Sequence, residues 1–174
     1  MITEEEGQKL VILAQNSINT FLTKQHLVVD KEVNSNSVTG IVLKLIRDGE
    51  IIGENKILES GLSITRLVVE ASRKAALKNE ITNLNKVEIR ISLLSNLKLI
   101  TEEPSKYGDG LILGEDSMLI KSKTSTGFML ASEAANLSFE EFINHTCVKA
   151  GLDKEAWLNP NNKVFKFKEQ IFQS

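Results

Sequence analysis

The N-terminal segment carries apolar residues at every third or fourth position, the spacing that places them on one face of an α-helix. Thr3 and Glu6 precede this run at capping-box spacing, where the hydroxyl accepts from the Glu6 amide and the Glu6 carboxylate reaches back. Three consecutive carboxylates, residues 4–6, also suit the positive end of the helix dipole. The pattern predicts a helix over residues 4–24. Its buried positions are Leu10, Leu13, Ala14, Ser17, Ile18, Phe21 and Leu22.

Residues 40–53, GIVLKLIRDGEIIG, contain two β-rich runs on either side of Asp48-Gly49. A type I′ turn needs positive φ at both central positions, and this residue pair tolerates it. The segment therefore predicts a β-hairpin. Residues 24–40 show no period and many loop formers, so they predict a surface loop with room for one short strand at 27–29.

A second helical stripe runs from Ile64 to Lys78, and either Ser60 or Ser63 can cap it. Residues 87–94 then alternate between apolar and polar side chains, which is the pattern of a half-buried strand. The order of elements so far is helix, hairpin, helix and strand.

The segment 101–110 contains Pro104 and two glycines. It predicts a loop, and it is the best candidate for a hinge between two lobes. Residues 111–130 predict three short strands, separated at 114–116 and at 125–127.

The C-terminal region predicts one more helix and one more strand. Ser138 and Glu141 form a second capping box, and Gly151 stands where the helix needs a left-handed C-terminal cap. Residues 163–173 alternate again and predict a final strand. Its buried face is predicted to hold Phe165, Phe167 and Ile171.

The predicted elements interleave, but the hairpins are too frequent for a doubly wound parallel sheet. We therefore expect an α+β fold, with an antiparallel or mixed sheet and flanking helices. A chain of 174 residues is long enough for one domain with its own core. Residues 1–174 are expected to form that single domain, with the hinge near 101–110 separating a smaller lobe.

The composition narrows the function classes. A net charge of −2 provides no general basic field, so nucleic-acid binding is the least favoured hypothesis. No apolar run reaches the roughly 18 residues of a membrane span, and the acidic start does not resemble a signal peptide. We expect a cytoplasmic protein that binds no membrane. The oligomeric state stays open.

Cysteine and histidine chemistry is restricted by number and position. Cys147 is the only cysteine, which excludes an internal disulfide and a multi-cysteine metal site. His145 lies two residues earlier on the predicted helix, about 200° away, so the two side chains cannot pair. Cys147 falls on the apolar stripe and is predicted to be buried. His26 has no ligand-spaced neighbour, so we expect neither a metal nor a cofactor.

Residues 139–157 read FEEFINHTCVKAGLDKEAW. This segment resembles the C-terminal signature of the AMMECR-type domain family, named after the Alport syndrome and elliptocytosis chromosomal region protein, in which the pattern is EEFLEHLCxKAGLPxDAW. Counterparts of other family motifs follow in the family's order, at 2–6, 40–56, 87–94, 111–113 and 127–131. The chain is therefore similar to this family over most of its length, as a divergent member.

The hairpin departs furthest from the family pattern, which reads GxFVTLxxxGELRGCIG from position 40. The family's arginine and cysteine are natural candidates for ligand contact or chemistry, because a guanidinium binds anions and a thiolate is a nucleophile. Here Ile52 and Glu54 take their places, Asn55 takes the next isoleucine place and Lys56 the last glycine place, while Gly53 is retained. The resemblance thus implies a rewritten site. Simple alternation places Ile52, Glu54 and Lys56 on one side of this arm.

The candidate pocket therefore consists of Ile52, Gly53, Glu54, Asn55 and Lys56. The leading hypothesis is a non-catalytic binding or accessory protein, in which Glu54 disfavours anionic ligands. The alternative is an enzyme with a relocated site that uses Glu54, Asn55 and Lys56, since a partly buried Glu–Lys pair can share a proton. The resemblance also implies an association with Memo-type and radical S-adenosylmethionine proteins. The family's own activity is not settled, so the reaction and the ligand stay open.

Overall fold

The computed structural model describes residues 2–29, 33 and 37–174, and within them it contains three α-helices and six strands. In chain order these are α1 (Glu4–Leu22), β1 (Val38–Arg47), β2 (Glu50–Ile57), α2 (Ile64–Lys78), β3 (Val87–Leu99), β4 (Asp116–Lys121), β5 (Thr126–Met129), α3 (Phe139–Lys149) and β6 (Lys163–Gln173). The strands form one sheet in the order β2-β1-β3-β6-β4-β5. Antiparallel pairs join β1 to β2, and β4 to both β5 and β6. The expected α+β fold is confirmed.

The chain divides into two compact units, one formed by residues 1–94 with 170–174 and the other by residues 95–169. Both boundaries therefore fall inside strands, in β3 and in β6. The segment predicted as a hinge lies within the second unit, where Pro104–Gly110 forms a short 3-10 helix. A hinge at 101–110 stays a prediction.

The core of the first unit lies between the two helices and one face of the strands. Ile41, Leu43 and Leu45 alternate along β1 and are fully buried in this core. Because strand side chains alternate between faces, Val42, Lys44 and Ile46 must lie on the other side of the sheet. The core also takes Leu10, Val11, Ala14 and Ile18 from α1, Ile64, Leu67, Val68, Ala71 and Ala75 from α2, and Ile89, Ile91 and Leu93 from β3.

The helix ends follow local chemistry. Thr3 and Glu6 form the predicted capping box. Helix α1 stops two residues earlier than predicted, and Lys24, which follows the C-cap residue, has a φ of 55° in the left-handed region. Ser63, and not Ser60, caps α2, because its side chain accepts from the Arg66 amide at 3.4 Å.

The end of β6 ties down the start of the chain. The Gln170 side chain accepts from the Ile2 amide at 3.2 Å and donates to the Ile2 carbonyl at 2.6 Å. Phe172 is 2% exposed and belongs to the core of the first unit. The prediction that Ile171 faces the core is wrong, since Ile171 is 41% exposed. Alternation places Phe172 on the face opposite Ile171, and at this end of the strand it is Phe172 that is buried.

The second unit has a separate core, to which α3, β4 and β6 contribute fully buried side chains. Phe142, Ile143 and Cys147 form the buried stripe of α3, as their helical spacing predicts. Gly151 has a φ of 71°, and the Leu152 amide donates to the Cys147 carbonyl at 3.0 Å. These two features make the predicted left-handed C-terminal cap.

Two of the predicted strands are absent from the residues that the structure describes. Residues 27–29 form no strand, and 111–113 form none either, so 111–130 contains two strands and not three. At 111–113 a closed turn takes the place of the predicted strand. Gly114 has a φ of 82°, and the buried Asp116 carboxylate accepts from the Ile112 amide at 2.9 Å. That bond uses the Ile112 amide, which a strand ladder would need.

The prediction that Gly127 belongs to a segment between strands is wrong, since Gly127 lies buried in β5. A Cβ at this position would lie 2.3 Å from the Ala150 nitrogen and 2.4 Å from the Ala150 Cα. These are backbone atoms at the end of α3, which cannot move as a side chain can. Glycine at this position is therefore what allows α3 to approach β5.

We expect Gly127→Ala to destabilise the protein by about 1–3 kcal/mol, because overpacking a tight contact displaces backbone. The matched control is Gly61→Ala, since a Cβ at Gly61 meets nothing within 4 Å. Urea unfolding of both variants measures the difference. Equal stability of the two variants would show that α3 is not held against Gly127.

Candidate functional site

The hairpin turn has the predicted geometry. Asp48 and Gly49 both have positive φ, at 52° and 83°, as a type I′ turn requires. The register places Lys44 opposite Glu54, Leu43 opposite Asn55 and Leu45 opposite Gly53. Between Leu45 and Ile46 the register shifts by one residue, so β2 contains a β-bulge next to the candidate site.

The bulge changes the side on which Ile52 lies. Ile46 pairs with Ile51 and Leu45 pairs with Gly53, so Ile52 has no partner in the register. Its side chain packs against the helix-side core of the first unit. The expectation that Ile52 shares a side with Glu54 and Lys56 is therefore wrong. Ile52 adds to the core and does not line a pocket with the charged pair.

Gly53 has a steric role on the helix side. A Cβ there would lie 3.0 Å from the Ala75 carbonyl oxygen and 3.2 Å from a methyl carbon of Leu45. The Asn79 side chain lies next to the same spot and donates to the Ala75 carbonyl at 2.8 Å. The close approach of α2 to β2 thus explains the glycine at position 53, which the family pattern also has.

Glu54 and Lys56 lie two residues apart on β2, and their side chains meet. The Lys56 Nζ is 2.8 Å from the Glu54 Oε1, with the two side chains 40% and 30% exposed. Lys44, directly across on β1, places its Nζ 3.9 Å from the Glu54 Oε2 and is only 12% exposed. The charged group at this hairpin is therefore a carboxylate between two ammonium groups, one in hydrogen-bond contact and one at ion-pair distance.

Lys44 is the site residue that sequence reasoning missed. No motif in the sequence singles it out, because a lysine in a predicted strand is ordinary. The turn alone does not reveal this pairing, because counting outward from Asp48-Gly49 brings Lys44 opposite Gly53. The bulge at Ile52 moves the register by one residue and brings Lys44 opposite Glu54. The family pattern has a threonine and a cysteine at positions 44 and 54.

Asn55 lies on the side away from the charges. It pairs with Leu43, which is fully buried in the helix-side core. Its Oδ1 is buried and has no hydrogen-bond partner among the described residues. The structure therefore brings Glu54, Lys56 and Lys44 together on one side of the hairpin. It leaves Gly53, Asn55 and Ile52 on the helix side.

The remaining candidates for chemistry are structural or exposed. Cys147 is fully buried, and burial raises the pKa of its thiol, while the Trp157 and Ala156 amides act in the opposite direction. His26 and His145 are both exposed. Within the described residues no group of three His, Cys, Asp or Glu side chains could hold a metal ion. No helix in that part of the chain has the length and apolarity needed to cross a membrane.

An open polar groove of about 830 Å³ lies in the second unit, well outside the hairpin. One wall is the turn between β4 and β5, which the Ser122 hydroxyl closes by accepting from the Ser125 amide at 3.0 Å. The other wall is formed by residues 152–156 and Asn159, Asn161 and Asn162. The charged side chains that line it are exposed to solvent, and they select no particular ligand.

Comparison with known proteins agrees with the motifs. A model of the AMMECR1 family matches residues 52–172. This match covers more than half of the chain, and the chain belongs to the AMMECR1 family.

Archaeal proteins are similar over almost the whole length. A protein of Pyrobaculum arsenaticum is 28% identical over 188 residues, covering 98% of this chain and 87% of the relative. Protein MJ0810 of Methanocaldococcus jannaschii is 26% identical and covers 99% of this chain and 92% of its own length. The crystal structure of the uncharacterized protein PH0010 from Pyrococcus horikoshii matches with a TM-score of 0.86 at 22% identity, covering 99% of this chain and 93% of that one. This last likeness supports the fold.

The unpartnered amide of Asn55 generates a stability prediction. We expect Asn55→Ile to stabilise the protein by about 1–2 kcal/mol, because it removes a buried acceptor that lacks a partner and adds a strand-favouring side chain. Thr126→Ile is the control, since it adds the same side chain at an exposed strand position. Thermal and urea unfolding measure both. A loss of stability in Asn55→Ile alone would show that the amide has a partner.

Proposed function

We propose that this chain is a non-catalytic binding protein whose ligand contacts the hairpin side that carries Lys44, Glu54 and Lys56. The observation that supports the proposal is the 2.8 Å contact between Lys56 and Glu54. This carboxylate already accepts from one ammonium group and has a second one 3.9 Å away, an arrangement that suits recognition of a hydrogen-bond donor. The same cations are less available to an anion while they face Glu54.

A cationic or neutral group is the proposed ligand, presented either by a small molecule or by a side chain of a protein partner. An ionised carboxylate has about four acceptor positions on its two oxygens. The Lys44 Nζ lies 3.9 Å from the Glu54 Oε2, which is beyond hydrogen-bond length. Glu54 therefore retains acceptor capacity for an N–H or O–H donor.

The enzyme hypothesis keeps one supporting observation, which is the direct Glu54–Lys56 contact. At 2.8 Å a proton can move between the two groups if the ligand changes their surroundings. Asn55 lies on the opposite side of β2 and cannot assist at the same point. The alternative is therefore reduced to a two-residue site, and it ranks second.

A thermal-shift screen with phosphates, carboxylates and amines tests the ligand class, run on the wild-type protein and on Glu54→Ala. We expect amines to stabilise the wild type and to lose that effect in Glu54→Ala. A ligand at 100 times its Kd stabilises by about 2.7 kcal/mol, so weak binding is measurable at high concentration. Anions that stabilise both proteins equally would contradict the proposal.

An accessory role also requires a partner, and the family resemblance suggests a Memo-type or radical S-adenosylmethionine protein. We expect the purified chain to form a complex with a protein of one of these classes, and charge reversal by Glu54→Lys to weaken it. Analytical ultracentrifugation of the mixture measures the complex. Complexes of equal strength with the wild type and Glu54→Lys would place the contact elsewhere on the chain.

A further inference from the structure

Lys56 occupies a particular position with respect to Glu54. Both residues lie on β2, and because they are two positions apart their side chains leave the same side of the strand. The ammonium of Lys56 reaches the Glu54 Oε1 at 2.8 Å, a hydrogen-bonding distance. A cationic ligand of this carboxylate would place its own N–H donor at the same oxygen.

The two lysines around Glu54 differ in how firmly they are placed. Lys44 is 12% exposed and stands directly across the hairpin from Glu54. Lys56 is 40% exposed, near the outer edge of the sheet, because β2 has only β1 as a neighbour. When the ammonium group of a ligand displaces Lys56 from the Glu54 carboxylate, Lys44 stays in place. The charge around Glu54 is then unchanged.

We propose that Lys56 is a built-in competitor, a side chain that occupies the cation position on Glu54 and must withdraw when a ligand or partner presents an ammonium group there. This inference rests on the proposed function, because it assumes that Glu54 receives the ligand. In this proposal Lys56 sets the affinity of the site, and Glu54 contacts the ligand. Lys44 keeps the carboxylate oriented from β1 in both states.

The consequence is a binding site whose affinity is reduced by its own lysine. When only a fraction of molecules has the binding position open, the apparent Kd rises by the inverse of that fraction. Removing the Lys56 ammonium while keeping a side chain of similar length should therefore tighten binding of a primary amine. The same change should have a much smaller effect on a cation that cannot donate a hydrogen bond, because such a cation gains only from the change in charge.

The test is a titration with n-butylammonium chloride at constant ionic strength, followed by amide NMR shifts of residues 44, 54 and 56. We expect Lys56→Met to lower the Kd at least about fivefold relative to the wild type, as expected if the position is open in about a fifth of wild-type molecules or fewer. The double variant Lys56→Met with Glu54→Gln should lose the binding. Tetramethylammonium chloride, which has no N–H donor, should produce no saturable shift in any of these proteins.

Lys98→Met is the matched control, since it removes one positive charge from an exposed position of β3. An equal Kd for the wild type and Lys56→Met, with binding still abolished by Glu54→Gln, would overturn the competitor role and leave the proposed function standing. Absence of saturable butylammonium binding in every protein would overturn both. Tightening in Lys98→Met as large as in Lys56→Met would reduce the effect to net charge and also overturn the inference.

Discussion

The alternation of β1 under the two helices is the constraint on which the rest of the hairpin depends. Ile41, Leu43 and Leu45 are fully buried on the helix side, and a shift of one residue would exchange the two faces of the strand. Lys44 is therefore fixed on the other side, and antiparallel pairing fixes Glu54 opposite it. The side of the sheet that can carry chemistry is thus determined by apolar residues that take no part in that chemistry.

The β-bulge allows one strand to satisfy two requirements. On a regular strand Ile52 would share a side with Glu54, where a large apolar side chain gains little and crowds the charges. The extra residue turns Ile52 toward the helix-side core, where its side chain is partly buried and contributes roughly 25 cal/mol for each Å² of apolar surface removed from water. Gly53 follows at the point where α2 approaches most closely, with the Ala75 carbonyl 3.0 Å from a notional Cβ. Bulge and glycine together place the hydrophobic side chain inward and leave the ionic group outward.

The sequence predicted the elements well where one local pattern decides them. The caps at Thr3 and Ser138, the turn at Asp48-Gly49 and the buried stripe with Cys147 depend on residues within a few positions of each other. The sequence did not predict the features that depend on a contact between distant segments. Gly127 pairs with Ile120 in the sheet, and the strand needs a glycine there because the Ala150 backbone approaches it.

The candidate site shows the same division between local and distant information. Glu54 and Lys56 were found as neighbours in sequence, because an i, i+2 pair on a strand shares a side. Lys44 and the displacement of Ile52 depend on hairpin register and on a bulge, which alternation alone does not reveal. The sequence does not reveal the position of Asn55 for another reason, since a polar residue that faces a core contradicts the usual pattern. Its place opposite Leu43 became visible only with the pairing.

The charges at the hairpin are best understood as one coordinated change. A half-buried lysine opposite a threonine, or a half-buried glutamate opposite a cysteine, would leave a charge without a counter-ion in a site that is partly shielded from water. Removing one partner of a buried pair is far more costly than replacing both, because the remaining charge is uncompensated. Lys44 is 12% exposed and Glu54 is 30% exposed, and each provides the counter-ion that the other needs. Lys44 and Glu54 therefore form one ionic pair across the hairpin, and Lys56 extends it to a group of three charges.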